Sequence, residues 1–309
     1  MNGMLALAKR NTLCYFRDKA AVVFSLMGVL VVVMLYLLFL RNMLIDSAAD
    51  VPGISSQVDA WVLSGILGIV AVTTSAGSLQ TMIEDRANSR DRDVKVTPMN
   101  PMQIAGGYII STAVVGMVMS VITFVIAVAY LAATGCPLYT SGILMSLVLL
   151  IPSALSGSII IYAITSFFKS TGAFSGFFTI VSVLIGFLAG IYMPMGVMPE
   201  AMQTIGCLVP ASHMASLFRQ NLGGASLDEI FDGADPSMVT DFRAEMGYDL
   251  SVGGFDFTPE LSILYVVAVT AVFFAIASVQ VSPSGGLCPR AASVSWLRFD
   301  APCLFPPNC

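Results

Sequence analysis

Long apolar runs alternate along this chain with short polar interruptions. The first run, Ala20–Leu40, holds 21 residues and no charge, which is about the length that a helix needs to cross a bilayer. Its Val, Leu and Phe side chains each favour insertion. The run is too long for the core of a signal peptide and lacks a cleavage site of small residues, so it predicts a retained span.

Five more spans follow from the same pattern. Residues 101–168 contain no charged side chain. That stretch is too long for one helix, and we divide it at the turn Thr134–Pro137. The predicted spans are about 20–40, 61–83, 104–132, 138–168, 172–193 and 261–281, with Trp61 as an interfacial residue and a bend at Pro152. Helices satisfy their backbone groups internally, so the predicted fold class is an all-α membrane protein with six transmembrane helices in one domain, residues 1–281.

Composition agrees with a polytopic membrane protein. The chain is 57% hydrophobic and 11% charged, whereas a soluble domain carries about 25% charged residues. No strongly basic surface indicates a nucleic-acid partner. Six cysteines without close pairing predict neither a disulfide framework nor a zinc site. Cys136 and Cys207 both fall on the predicted outer side, where a bond between them is one alternative.

The distribution of basic residues predicts the orientation. Nine Lys and Arg residues lie on the side of the N-terminus and three on the other side: Lys9, Arg10, Arg17, Lys19, Arg86, Arg90, Arg92, Lys95 and Lys169 against Arg41, Arg219 and Arg243. Short cytoplasmic loops carry an excess of Lys and Arg. The N-terminus is therefore predicted in the cytoplasm.

Three segments lie outside the predicted spans. Residues 2–19 are either an amphipathic helix at the membrane interface or an ordinary basic flank. The outer loop 194–260 begins as an apolar segment broken by Pro194, Pro199 and Pro210, which is typical of a re-entrant segment. Its acidic part, 223–260, is predicted to face water, with short helices at 226–231 and 236–246. Residues 282–309 are rich in Pro and Cys and are expected to be disordered.

No nucleotide site is visible, because a P-loop requires a Gly-Lys pair and none of the four lysines follows a glycine. A membrane serine hydrolase using Ser156 or Ser158 with His213 is one alternative, since a serine nucleophile needs a nearby base. The helix-packing interpretation of these serines is favoured. A stand-alone carrier is a further alternative, although the predicted spans lack the ionisable residues that such proteins use. Transport would then take its energy from a partner.

The segment Ile83–Ser111 resembles the membrane subunits of type-2 ABC exporters. Glu84-Asp85-Arg86 matches an acidic-basic start after the second span, Thr97-Pro98 matches a turn, and Ile104 with Gly106 and Gly107 matches the entry into the third span. A second resemblance lies in Gly190–Arg219, where Pro210, His213 and Arg219 match a Pro-x-x-His pattern before an Arg. Together with the six spans, the resemblance covers residues 1–281.

The resemblance implies a permease that pairs with a second copy or a related permease in a bacterial or archaeal plasma membrane. It implies a separate cytoplasmic ABC ATPase that binds ATP and Mg, so that this chain binds no cofactor and is not itself an enzyme. The drug-resistance-type members imply efflux of drugs, lipids or other amphipathic cargo. A cytoplasmic coupling helix would dock on the ATPase through Glu84, Asp85, Arg86, Arg90, Arg92, Lys95, Thr97 and Pro98. The tail and the acidic insert depart from the family pattern.

Overall fold

The computed structural model describes residues 3–20, 22–23, 31, 33–36, 38, 41–43, 53–90, 92, 94, 96–233 and 235–281. The described residues between 22 and 43 are helical. Most of the predicted span 20–40, Lys95 of the predicted coupling segment and the tail 282–309 lie outside the described residues.

The described chain is helical apart from one small hairpin. The helices are α1 (Gly3–Arg17), α2 (Ile54–Ala87), α3 (Pro101–Ala133), α4 (Thr140–Thr165), α5 (Thr171–Leu188), α6 (Glu200–Leu208), α7 (Pro210–Ile230), α8 (Pro236–Glu245) and α9 (Pro259–Val281), with a 3-10 turn at Met195–Val197 and strands β1 (Leu250–Val252) and β2 (Phe255–Phe257). Within this part of the chain, α2, α3, α4, α5 and α9 are long and apolar enough to cross a membrane. The all-α membrane class is confirmed.

Some helices begin or end at residues other than the predicted span boundaries. Helix α2 begins at Ile54 rather than Trp61 and has 34 residues, which makes it about 51 Å long against a hydrocarbon core of about 30 Å. The helix is therefore longer than the core is thick. Helix α4 runs through Pro152 and ends at Thr165. Helix α5 ends at Leu188 rather than at residue 193, because Gly190 takes a left-handed φ of 65° and turns the chain.

Helix α2 lies at the centre and packs against α3, α4 and α7. Small residues allow these close approaches. A Cβ on Gly68 would lie 2.6 Å from the backbone of Ala215 in α7, and one on Gly157 of α4 would lie 3.2 Å from Ala71. The hydroxyls of Thr73 and Thr74 donate to carbonyls of their own helix. Thr73 and Thr74 are therefore buried with their hydroxyls satisfied inside α2.

Residues 195–258, which we call the cap, lie between α5 and α9. Each predicted break starts a helix here: Pro194 precedes the 3-10 turn, Pro199 precedes α6, and Pro210 is the first residue of α7. Helix α8 confirms the short helix predicted at 236–246, whereas the one predicted at 226–231 is the end of α7.

The cap also contains a β-hairpin that the sequence analysis did not predict. Strands β1 and β2 are antiparallel with Leu250 opposite Phe257. Gly253 and Gly254 join them, both with positive φ, which is the geometry of a tight hairpin turn. Cys136 and Cys207 are free and buried, so the disulfide considered between them is not formed.

We predict that Gly68→Ala lowers stability, since the new methyl group would overlap the backbone of Ala215. The expected cost is about 1–3 kcal/mol, measured as a lower thermal midpoint in detergent. The control is Gly224→Ala in α7, where a Cβ meets nothing within 4 Å and alanine favours the helix. Equal effects of the two substitutions would contradict the close packing of α2 on α7.

Candidate functional site

An ion pair holds α1 to the end of α2. The guanidinium of Arg10 donates to both carboxylate oxygens of Asp85, over 2.9 and 3.2 Å. Asp85 is buried, while 41% of the Arg10 side chain is exposed. The hydrogen bond to Asp85 raises the pKa of Arg10. A bidentate pair of this kind fixes direction as well as distance.

Helix α1 also rests on the start of α3. A Cβ on Gly107 would lie 2.9 Å from the side chain of Leu7, and one on Gly106 would lie 2.7 Å from Met4. Leu7 and Tyr15 are buried, whereas Lys9 and Arg17 are exposed. Gly106 and Gly107, which match the entry into the third span, therefore form the surface on which α1 packs. Residues 3–17 are a helix, as one of the two sequence interpretations expected.

The residues on either side of Asp85 face other parts of the molecule. Arg86 donates to the carbonyls of Ser166 and Phe168, just beyond the end of α4, over 3.3 and 3.2 Å. Glu84 accepts a hydrogen bond of 2.9 Å from Gln80, one turn earlier in α2. Of the first three of the eight predicted coupling residues, Glu84, Asp85 and Arg86, the last two thus position neighbouring elements.

The loop from α2 to α3 presents charge to solvent. Arg90, Arg92, Thr97 and Pro98 are exposed, and Arg92 and Val94 are helical. Val94 packs against the apolar cluster formed by α2, α3 and their neighbours. Asn100 and Gln103 form a capping box at the start of α3, with Pro101 as its first residue. Val94 and the capping box therefore anchor the loop, while the side chains of Arg90 and Arg92 stay free of the core.

His213 lies in the cap and is fully buried. Its Nδ1 lies 3.2 Å from the hydroxyl of Ser262, and its Nε2 lies 2.8 Å from the carbonyl oxygen of Cys207. The hydroxyls of Ser156 and Ser158 bond instead to carbonyls of α4. The serine–histidine pair of the hydrolase alternative is therefore not formed.

Arg219 is buried in α7 without a carboxylate partner among the described residues. It donates to the carbonyls of Ala189, Gly190 and Gly247 over 3.0, 2.7 and 3.2 Å. Its guanidinium carbon lies 5.2 Å from the ring centre of Trp61. Trp61 is not interfacial as predicted, because it is fully buried and its indole donates to the carbonyl of Met246.

Residues 46–279 match the family model of the ABC-2 family transporter proteins. The chain belongs to this family. No curated protein matches it. It is therefore a multi-pass permease, the transport subunit of an ABC transporter and not itself a catalytic one, and its family implies an ABC ATPase as partner.

The permease contains a second ion pair that was not predicted from the sequence. It lies near the N-terminal end of α2, beside the cap. Asp59 is buried and accepts two hydrogen bonds from Arg41, of 3.0 and 3.3 Å, and one from the hydroxyl of Tyr36. The sequence signal was Asp59 itself, which lies two residues before the predicted start of a span. Arg10 was likewise counted only as a basic flanking residue. No group able to hold a metal ion occurs among the described residues.

We predict that the permease loses stability as the pH falls below about 6.5, the ordinary pKa of histidine. The pKa of His213 is lowered in the folded state, because the effect of burial exceeds the opposite effect of its hydrogen bond to the Cys207 carbonyl. The unfolded chain therefore binds a proton first, so that acid favours unfolding. His213 is the only histidine, and a purification tag free of histidine keeps the experiment clean.

The measurement is the thermal midpoint of the purified permease between pH 7.5 and 5.5. His213→Gln should flatten this profile, whatever it does to the midpoint at pH 7.5. An unchanged slope in His213→Gln would assign the acid sensitivity to carboxylates instead.

Proposed function

We propose that this permease exports an amphipathic cargo such as a drug or a lipid and is driven by a separate cytoplasmic ATPase. The ATPase binds ATP and Mg. A second permease copy or a related permease completes the translocation path. The side that carries α1 and the loop from α2 to α3 is the cytoplasmic side of a bacterial or archaeal plasma membrane.

The observation that carries this proposal is the meeting of three segments on one side of the bundle. The end of α2, helix α1 and the loop 88–100 lie side by side. The Arg10–Asp85 ion pair joins α1 to α2, and α1 packs on the start of α3. Exposed Arg90 and Arg92 belong to this surface. Complementary charges of this kind set register with a partner.

The connection from this surface into the membrane is stiff. Pro98 and Pro101 fix φ on either side of the entry to α3, and the capping box of Asn100 with Gln103 secures the first turn. A displacement of the charged loop therefore reaches α3 with little loss in the connecting residues. This supports a role for Thr97 and Pro98 in transmission rather than in direct binding.

The interior of the described bundle supports an uncharged or amphipathic cargo. Its buried polar residues between the two ends of α2 are mainly serine and threonine, and the charged Asp59 and Asp85 lie near the helix ends. A fixed charge for selecting a strongly ionic cargo is absent from the described middle of α2.

We predict that Arg90→Glu, Arg92→Glu and Lys95→Glu together uncouple ATP hydrolysis from transport. Reversal places like charges against a surface that had complementary ones. Cargo-stimulated ATPase activity should fall by about tenfold or more, with the thermal midpoint of the isolated permease unchanged.

The matched control reverses three exposed carboxylates of the cap, namely Glu200→Lys, Asp232→Lys and Asp241→Lys. This control also reverses three charges, but it does so in the cap, away from the loop between α2 and α3, and should leave coupling intact. Transport by the purified permease on a proton gradient alone, without a co-purifying ATPase, would refute the proposed function.

We also predict that Arg10 and Asp85 act as one unit. A double-mutant cycle with Arg10→Gln and Asp85→Asn should give a coupling energy of about 1–2 kcal/mol in the unfolding free energy, since one partner is exposed. Each single variant should also lower cargo-stimulated ATPase activity. Lys9→Gln, on the exposed face of the same helix, is the control and should change neither quantity. Purely additive effects would show that the pair does not couple.

A further inference from the structure

We infer that Arg219 is a positioning residue that locks four segments together: α7, the end of α5, the turn Met246–Tyr248 of the cap, and α2. Its hydrogen bonds reach the carbonyls of Ala189 and Gly190 after α5 and that of Gly247 in the turn. Its guanidinium lies over the ring of Trp61 in α2. One guanidinium thus contacts every segment that meets at this point.

The surroundings of Arg219 are shaped for a guanidinium. A Cβ on Gly65 would lie 3.0 Å from one of its terminal nitrogens, and a Cβ on Gly247 would lie 3.0 Å from the other. Gly190 and Gly247 have φ values of 65° and 70°, which side chains other than glycine rarely tolerate. Glycines therefore let three backbone segments approach the cation, and two of these segments, after α5 and in the turn, direct carbonyls toward it.

No carboxylate neutralises Arg219 in the described part of the chain, and its Nε has no partner there. A buried cation of this kind is stable only while all of its acceptors stay in place. The carbonyls after α5 also lie at a helix C-terminus, where the dipole favours a cation. Separating the end of α5 or the turn from α7 would remove acceptors of the guanidinium, and separating α2 would remove the ring over which it lies. These segments are therefore held as one unit.

The nearby contacts join the same segments, and α6 is attached to α7 because His213 Nε2 lies 2.8 Å from the carbonyl oxygen of Cys207. Trp61 donates to the carbonyl of Met246, Ser216 donates to that of Tyr248, and Ser212 donates to that of Leu188 over 3.0 Å. Cys207 at the end of α6 is 2% exposed, with its sulfur 3.7 Å from the carbonyl of Ser251. Its thiol is therefore a native reporter of whether the cap stays closed.

The experiment measures the maleimide labelling rate of Cys207 in a permease without other thiols, made with Cys136→Ala, Cys14→Ser, Cys288→Ser, Cys303→Ser and Cys309→Ser. Arg219→Met should raise this rate by about tenfold or more, because each 1.4 kcal/mol of lost stability opens the cap ten times as often. The control is Arg243→Met, which removes the arginine of the partly exposed Arg243–Asp249 pair and should change the rate less than twofold. Unchanged labelling of Cys14, measured in a protein that keeps only that thiol, shows that α1 remains in place.

A second variant covers the case in which Arg219→Met does not accumulate. Gly247→Ala leaves the charge in place but forces a methyl group against it, and it should also raise Cys207 labelling. Labelling within twofold of the parent in each variant that accumulates overturns the inference, as does an equal rise in Arg243→Met. If neither variant accumulates, Arg219→Lys decides, because it keeps the charge without the planar fork. None of these measurements involves an ATPase, so failure here is separate from failure of the proposed function.

Discussion

Two buried carboxylates determine where α2 lies. Asp85 at one end accepts both hydrogen bonds of Arg10, and Asp59 at the other end accepts those of Arg41. A buried carboxylate without a partner is strongly destabilising, by about 3–5 kcal/mol when the partner is removed. The partially exposed arginines reduce that figure here. Both arginines precede α2 in the chain, so residues before it must reach both of its ends.

The two sides of the bundle use charge differently. Next to the cap, Asp59 and Arg219 are directed inward and hold segments together. On the side of α1, Asp85 is the one buried charged residue among those that the structure describes, and Arg90 and Arg92 face solvent. Inward charges fix a structure, whereas exposed charges beside a stiff connection are available to a partner. This difference, rather than the number of charges on each side, supports the docking role proposed for the loop from α2 to α3.

Hydropathy predicted the five described helices that are long and apolar enough to cross a membrane. The free energy of insertion is a sum over the residue types of a helix, so the order of the residues matters little. It could not predict where α2 begins, since Asp59 and Trp61 look interfacial until their partners Tyr36, Arg41 and Met246 are known. Contacts between residues far apart in sequence decided that boundary. The family resemblance identified Arg219 by its spacing, but the carbonyls around it come from turns that no periodicity reveals. The Gly-Gly turn of the hairpin, by contrast, was a local signal that the sequence analysis passed over.

Helix α2 takes part in both anchoring arrangements. At one end Arg10 holds it to α1, and towards the other end Trp61 holds it to the Arg219 unit. Moving α1 away from α2 breaks the bidentate Arg10–Asp85 ion pair. Moving the cap away from α2 separates the buried guanidinium of Arg219 from the ring of Trp61. Both separations are costly, whereas an intact helix transmits a displacement along its whole length. We therefore expect a movement of the loop between α2 and α3 to reach the cap as a shift of α2 itself.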